Sequence, residues 1–309
     1  MTDDCLRPIA VDLDNFTVIG KSGMLTIPYG ETSFTELKEV YKEKIKEAVT
    51  DETTSFLLDG MSLLSDLRGA FLECRKFGKQ VYVLIGVDSE LLTEHELPAD
   101  AALIVMQSLG AICFGITADD TEILVSGIKR IKPYSKIPLA VRPKSGSLSD
   151  IEIIKLLNAG ADVLIGLDDE SRTRFQNIIS EENFTPPDIE YEDSVMLANE
   201  RSAFFLEHDT TEISAPIECN KGMGEDLIAA CQYSGCDVLK IQINSPDDAL
   251  DFADNAHMAT LPVMFSGDDE IAMKLAVMLY QGRALIDGTS LIDPDELKKT
   301  AQKYGAIIY

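Results

Sequence analysis

Apolar runs in the first half of this chain, Phe56–Leu58, Val81–Val87, Ile112–Ile116 and Ile137–Val141, each give way to small or polar residues. The tips read Asp59-Gly60, Asp88-Ser89, Thr117-Ala118-Asp119 and Arg142-Pro143-Lys144. Asp59, Thr117, Arg142 and Lys144 among them carry a carboxylate, a hydroxyl, a guanidinium and an ammonium. The run Ser145–Asp150 (SGSLSD), beside Arg142 and Lys144, could cradle an anion. Backbone N–H groups at Gly222-Met223-Gly224 could do the same at a helix start. Asp168-Asp169-Glu170 and Asp268-Asp269-Glu270 suit helix N-termini, where carboxylates complement the dipole. Neither acidic loop by itself completes a hard-cation shell. His95, His208 and His257 are isolated, and no Ser-His-Asp, Cys-His or P-loop arrangement is legible.

The runs alternate with segments of helical period, the pattern of βα units whose strands lie parallel and buried on both faces. In such folds chemistry sits at the carboxyl ends of the strands. Upstream, Pro8–Asp12 and Thr17–Gly20 read as short strands. Thr32 or Ser33, the latter with Glu36 in capping-box spacing, caps a helix whose apolar stripe is Leu37, Val40, Tyr41, Ile45 and Val49. Downstream, Ile151–Gly166 is a further helix–turn–strand unit, followed by a helix to about Ile179. The stretch 180–193, with two prolines among acids, is a linker signature. Residues 195–209 then read as a β-hairpin turning near Asn199-Glu200-Arg201. From Glu212 the βα rhythm resumes, with strands expected at Ile213–Glu218, Val238–Ile243, Pro262–Phe265, Ala284–Asp287 and Ala306–Tyr309. A helix is expected over Asp269–Tyr280. The organisation predicted is two α/β domains, 1–185 and 186–309.

A formal net charge of −26 argues against nucleic-acid and anionic-membrane partners, which an acidic surface repels. The 45% hydrophobic content supplies a full core. No run approaches a transmembrane helix, the polar N-terminus is unlike a signal peptide, and the six scattered cysteines include no CxxC pair. Together these predict a cytoplasmic protein with reduced thiols.

Residues 17–179 resemble the homocysteine S-methyltransferase domain of cobalamin-dependent methionine synthases. The likeness rests on IPYGETSFTELKEVYKEKIKEAV, LLDGMSLLSDLRGAFLECRKFGK, LGAICFGIT, PYSKIPLAVRPKSG and LLNAGADVLIG, in family order. Residues 194–309 resemble the pterin-binding domain that follows in those enzymes, through IECNKG and the run from Leu261 to Tyr309. The resemblance implies two TIM-type βα barrels, both incomplete against the usual eight strands, with a merged single sheet as the alternative. It implies a homo-oligomer or another element covering the strand edges. It implies substrate contacts from Asp59, Thr117, Arg142 and Lys144. It implies a methyltetrahydrofolate pocket lined by Glu218, Asn220, Gln242, Asn244, Ser266 and Asp287, where Asn220 and Asp287 could alternatively serve as turn or helix caps. A separate corrinoid protein would be a partner, because the chain carries no counterpart of the cobalamin motif. The family's three zinc cysteines fall on Thr117, Leu167 and Asp168, so no zinc is expected. Two functions follow: a zinc-independent methyltransferase with a folate or corrinoid methyl donor, or a non-catalytic binding or assembly protein of the same descent.

Overall fold

The computed structural model describes residues 7–180, 187–207, 210–233 and 235–309. The chain divides into two compact units, one of Met1–Ser22, Val40–Gln107 and Ala111–Glu192, the other of Gly23–Glu39, Ser108–Gly110 and Asp193–Tyr309. Both are α/β, each around its own parallel sheet; the sheets are separate. Among the described residues no helix is long and apolar enough to cross a membrane.

In chain order the elements of the first sheet and its helices are β1 (Ile9–Val11), β2 (Thr17–Ile19), α1 (Phe34–Ala48), β3 (Ser55–Asp59), α2 (Leu64–Cys74), β4 (Gln80–Gly86), α3 (Ala99–Leu109), β5 (Cys113–Ala118), α4 (Thr121–Ile131), β6 (Leu139–Pro143), α5 (Asp150–Ala159), β7 (Val163–Ile165) and α6 (Asp169–Ser180). The strand order is β1-β7-β6-β5-β4-β3-β2, all parallel. The two strands nearest the start of the chain therefore form opposite edges. A flat sheet of this size would hold those edges roughly 29 Å apart. The link Asp12–Phe16 that joins them can span at most roughly 20 Å. The sheet must curl, and it forms a half-barrel. Phe16 crosses the open side and meets Tyr82 of β4 edge to face, ring centroids 4.8 Å apart. Leu57, Leu84, Cys113, Ala140, Val163 and Ile165 fill the concave face beneath it.

Caps fix the helices where the sequence places them. Ser33 and Glu36 close the start of α1, and Ser149 with Glu152 forms a capping box on α5. Gly160, at φ +101°, ends α5 in a left-handed turn that a side chain would strain.

The second unit begins with an antiparallel hairpin, β8 (Val195–Ala198) and β9 (Ala203–Leu206), with Asn199 accepting from the N–H groups of Arg201 and Ser202 at its turn. Then come β10 (Ile217–Glu218), α7 (Gly224–Tyr233), β11 (Leu239–Gln242), α8 (Pro246–Asn255), β12 (Val263–Ser266), α9 (Glu270–Leu279), β13 (Leu285–Ile286), α10 (Pro294–Tyr304) and β14 (Ile307–Ile308). The sheet runs β10-β11-β12-β13-β14, parallel throughout. Its strands are shorter than the sequence suggests. Pro216 has no N–H for the ladder, so Ile213–Glu218 shrinks to Ile217–Glu218 and an isolated bridge between Ile213 and Val238. One face carries Leu239, Ile241 and Phe265, with Phe265 packed edge to face on Phe252 of α8. The other carries Val238, Met264 and Leu285, and Leu197 of the hairpin packs into them.

Candidate functional site

Each sheet carries a polar cluster at the carboxyl ends of its strands. In the first unit, side chains two residues apart share a face. Asp59 therefore lies above Leu57, Thr117 above Cys113 and Arg142 above Ala140, all on the concave side. Gly86, Thr117 and Arg142 are successive partners in register across β4, β5 and β6. Arg142 grips Asp59 with both arms, Nη1 to Oδ2 at 2.6 Å and Nη2 to Oδ1 at 3.0 Å. The pair is sheltered, with side chains 19% and 18% exposed. It spans β4 and β5, a reach of about 14 Å on a flat sheet. The curl of the sheet brings the two strand ends within reach of each other. Thr117 is 4% exposed, and its Oγ1 has no hydrogen-bond partner. Lys144 stands apart, donating to Asp119 at 2.7 Å on an exposed surface.

The residues at the positions that the sequence resemblance assigns to zinc ligands do not fit that metal. Thr117 offers a neutral hydroxyl and Leu167 a hydrocarbon. The Asp168 carboxylate accepts the Ser171 N–H at 2.7 Å, which holds its pKa below the ordinary carboxylate range. Zinc-bound thiolate chemistry needs soft anionic donors, and this trio supplies none. Among the described residues no group of three or more His, Cys, Asp or Glu is placed to hold a metal ion. Cys113 lies buried within β5, and its thiol is pushed up to about 12 by burial first and the nearby Asp162 second. His95 Nδ1 pairs with Ser62 Oγ at 2.7 Å, and His208 lies outside the described residues.

In the second unit Glu218, Gln242 and Ser266 are successive partners in register, and Asp287 follows β13 directly. The centre of this cluster is Asp287. Its Oδ2 accepts from Lys240 Nζ at 2.7 Å and Ser266 Oγ at 2.9 Å. Its Oδ1 accepts from Thr289 Oγ1 at 2.7 Å and Thr289 N–H at 3.0 Å. Burial pushes the acid up, but the bonds from Lys240, Thr289 and Ser266 outweigh it and hold the carboxyl well below the ordinary range. A carboxylate has about four acceptor sites, and here all are taken. The set therefore does not fit recognition of a pteridine ring through Asp287.

Three of the remaining residues make local bonds. Asn220 Oδ1 accepts from Gly222 N–H at 2.8 Å, an Asx turn. Gln242 Nε2 donates to Asn244 Oδ1 at 2.9 Å, and the Asn244 N–H binds Asp248 Oδ2 beside the Ser245–Asp248 capping box. Glu218 is exposed at the sheet edge. The structure thus gathers Glu218, Gln242, Ser266 and Asp287 on one face and leaves Asn220 and Asn244 in turns. Lys240 is the residue that sequence reasoning missed. Its signal was present, since it lies two positions before Gln242 and must share its face.

No family model matches the chain, and no curated protein matches it. Function rests on the geometry.

Proposed function

We infer that this chain is a non-catalytic binding or assembly protein, its two units descended from the incomplete βα barrels of a methionine-synthase-like ancestor. The observation that carries this reading is the internal pairing of charge at both sets of strand ends. Asp59 is held by Arg142, and Asp287 by Lys240, Ser266 and Thr289. A substrate would have to displace a partly buried, hydrogen-bonded partner to reach either carboxylate, which opposes binding. Parallel sheets, the curl of the first and the hairpin on the second support the barrel ancestry. A cytoplasmic setting belongs to this reading, because the described cysteines are all free.

One observation favours a zinc-independent methyltransferase instead. Glu218 and Gln242 stand side by side in register at the strand ends and could still meet a pterin edge. Calorimetric titration of the full chain with methyltetrahydrofolate separates the readings. We expect no saturable heat from folded protein. Micromolar binding that weakens in Gln242→Ala would overturn the non-catalytic reading and restore a folate-dependent one.

A further inference from the structure

A cavity of about 240 Å³ lies within the second unit, away from its carboxyl-end cluster. Its walls come from the chain leading into strands: Ala256–Ala259 before β12 and Leu279–Gln281 before β13, with the hairpin turn at Asn199–Arg201 and the segment around Ile27. Ile27, Pro28, Leu250, Ala253, Leu279 and Tyr280 make the surface mostly apolar. Arg201, Glu200 and Asp254 also line it, and their formal charges sum to −1, which disfavours an anionic ligand. Among these walls His257 contributes an Nδ1 that is shielded from solvent and has no hydrogen-bond partner. A shielded ring nitrogen left unbonded is costly, and a ligand atom is one way to satisfy it.

Mostly apolar walls with a few polar groups are the usual make-up of a small-molecule site. Size narrows the class, because an apolar cavity of about 150 Å³ accepts benzene. The larger volume here suits one ring with a substituent or two fused rings. We propose that this cavity binds a compact, uncharged aromatic heterocycle whose ring nitrogen hydrogen-bonds to His257 Nδ1. The site shares no residue with the strand-end clusters, so it stands whichever reading of those clusters holds.

A neutral imidazole nitrogen is either donor or acceptor. Benzimidazole, which presents both roles on a fused pair of rings, is therefore the matching probe, and naphthalene is its apolar control. The test is titration of the full chain with each, followed by protein-observed NMR, in the wild type and in His257→Phe and Ala253→Phe, all verified as folded by circular dichroism. Benzimidazole should bind saturably. His257→Phe should weaken it roughly fivefold to tenfold, the loss of one buried hydrogen bond, while leaving naphthalene unchanged. Ala253→Phe, which fills the cavity, should abolish both. Absence of saturable benzimidazole binding to the folded wild type overturns the proposal, as does binding that Ala253→Phe leaves intact. Equal loss of benzimidazole and naphthalene in His257→Phe overturns the hydrogen bond assigned to His257.

Discussion

The two sheets face the same problem and solve it differently. A parallel sheet that does not close on itself leaves an apolar face that must be covered. In the first unit the strands are long enough to curl, and the strap Asp12–Phe16 ties the edges, so a single aromatic ring over Tyr82 meets much of the need. In the second unit β10, β13 and β14 are only two residues each, and a separate hairpin supplies Leu197 to the open face. The polar layers differ in parallel. The first cluster is one bidentate ion pair reaching across two strands, the second a carboxylate enclosed by neighbours on adjacent strands. Curvature brings distant strand ends together; a short-stranded sheet must rely on close neighbours.

Mutations can break that contrast. The largest effect should come from Leu197→Ala, which empties a fully buried position, at about 3–4 kcal/mol in urea denaturation. Phe16→Ala, at a half-buried ring, should cost about 2–3 kcal/mol. Equal losses would mean that the strap covers as much as the hairpin, and the contrast would fall. Asp287→Ala strands Lys240, whose side chain is 26% exposed, and should cost about 2–3 kcal/mol, toward the low end for a buried pair because solvent reaches the lysine.

Acid titration sharpens the same point. The folded Asp287 acid is depressed, so its contribution is complete above the unfolded carboxylate value of about 3.9. As pH falls below that value the unfolded chain takes up a proton that the folded one refuses, and stability declines toward the folded pKa. Asp287→Asn should flatten this part of the acid limb between pH 4 and pH 2; an unchanged limb would show that Asp287 is not the group responsible. The smallest effect concerns thiols. Cys74 and Cys113, each pushed up to about 12 chiefly by burial, should stay silent to a thiol reagent at pH 8 until denaturant is added, whereas half-buried Cys231 should react in the folded protein.

Much of the fold could be read from the sequence because β3 to β7 are continuous apolar runs bounded by glycine or polar tips, a pattern that only strands buried on both faces require. Even β1 and β2 fall within their expected segments, although nothing in the sequence shows that they become opposite edges of one curled sheet. In the second unit the runs were overestimated where ladder bonds fail, as at Pro216. Of the candidate residues, Asp59, Thr117 and Arg142 were named through the resemblance and their place at strand ends, which the sequence shows. Lys144 pairs with the exposed Asp119, a contact the sequence pattern does not show. The cavity beside His257 was illegible, since its walls are far apart in sequence and carry no shared period.

The strap also sets a clock. Asp12, just past β1, pairs with Arg172, 160 residues further along the chain. At about 5–20 residues per second, synthesis of that interval takes roughly 8–30 s. Throughout it β1 has no β7 to pair with, while β3 to β6 can already assemble from sequential neighbours. Closure of the curl is thus the last event in building the first unit, and for those seconds its growing edge is open to any other strand nearby.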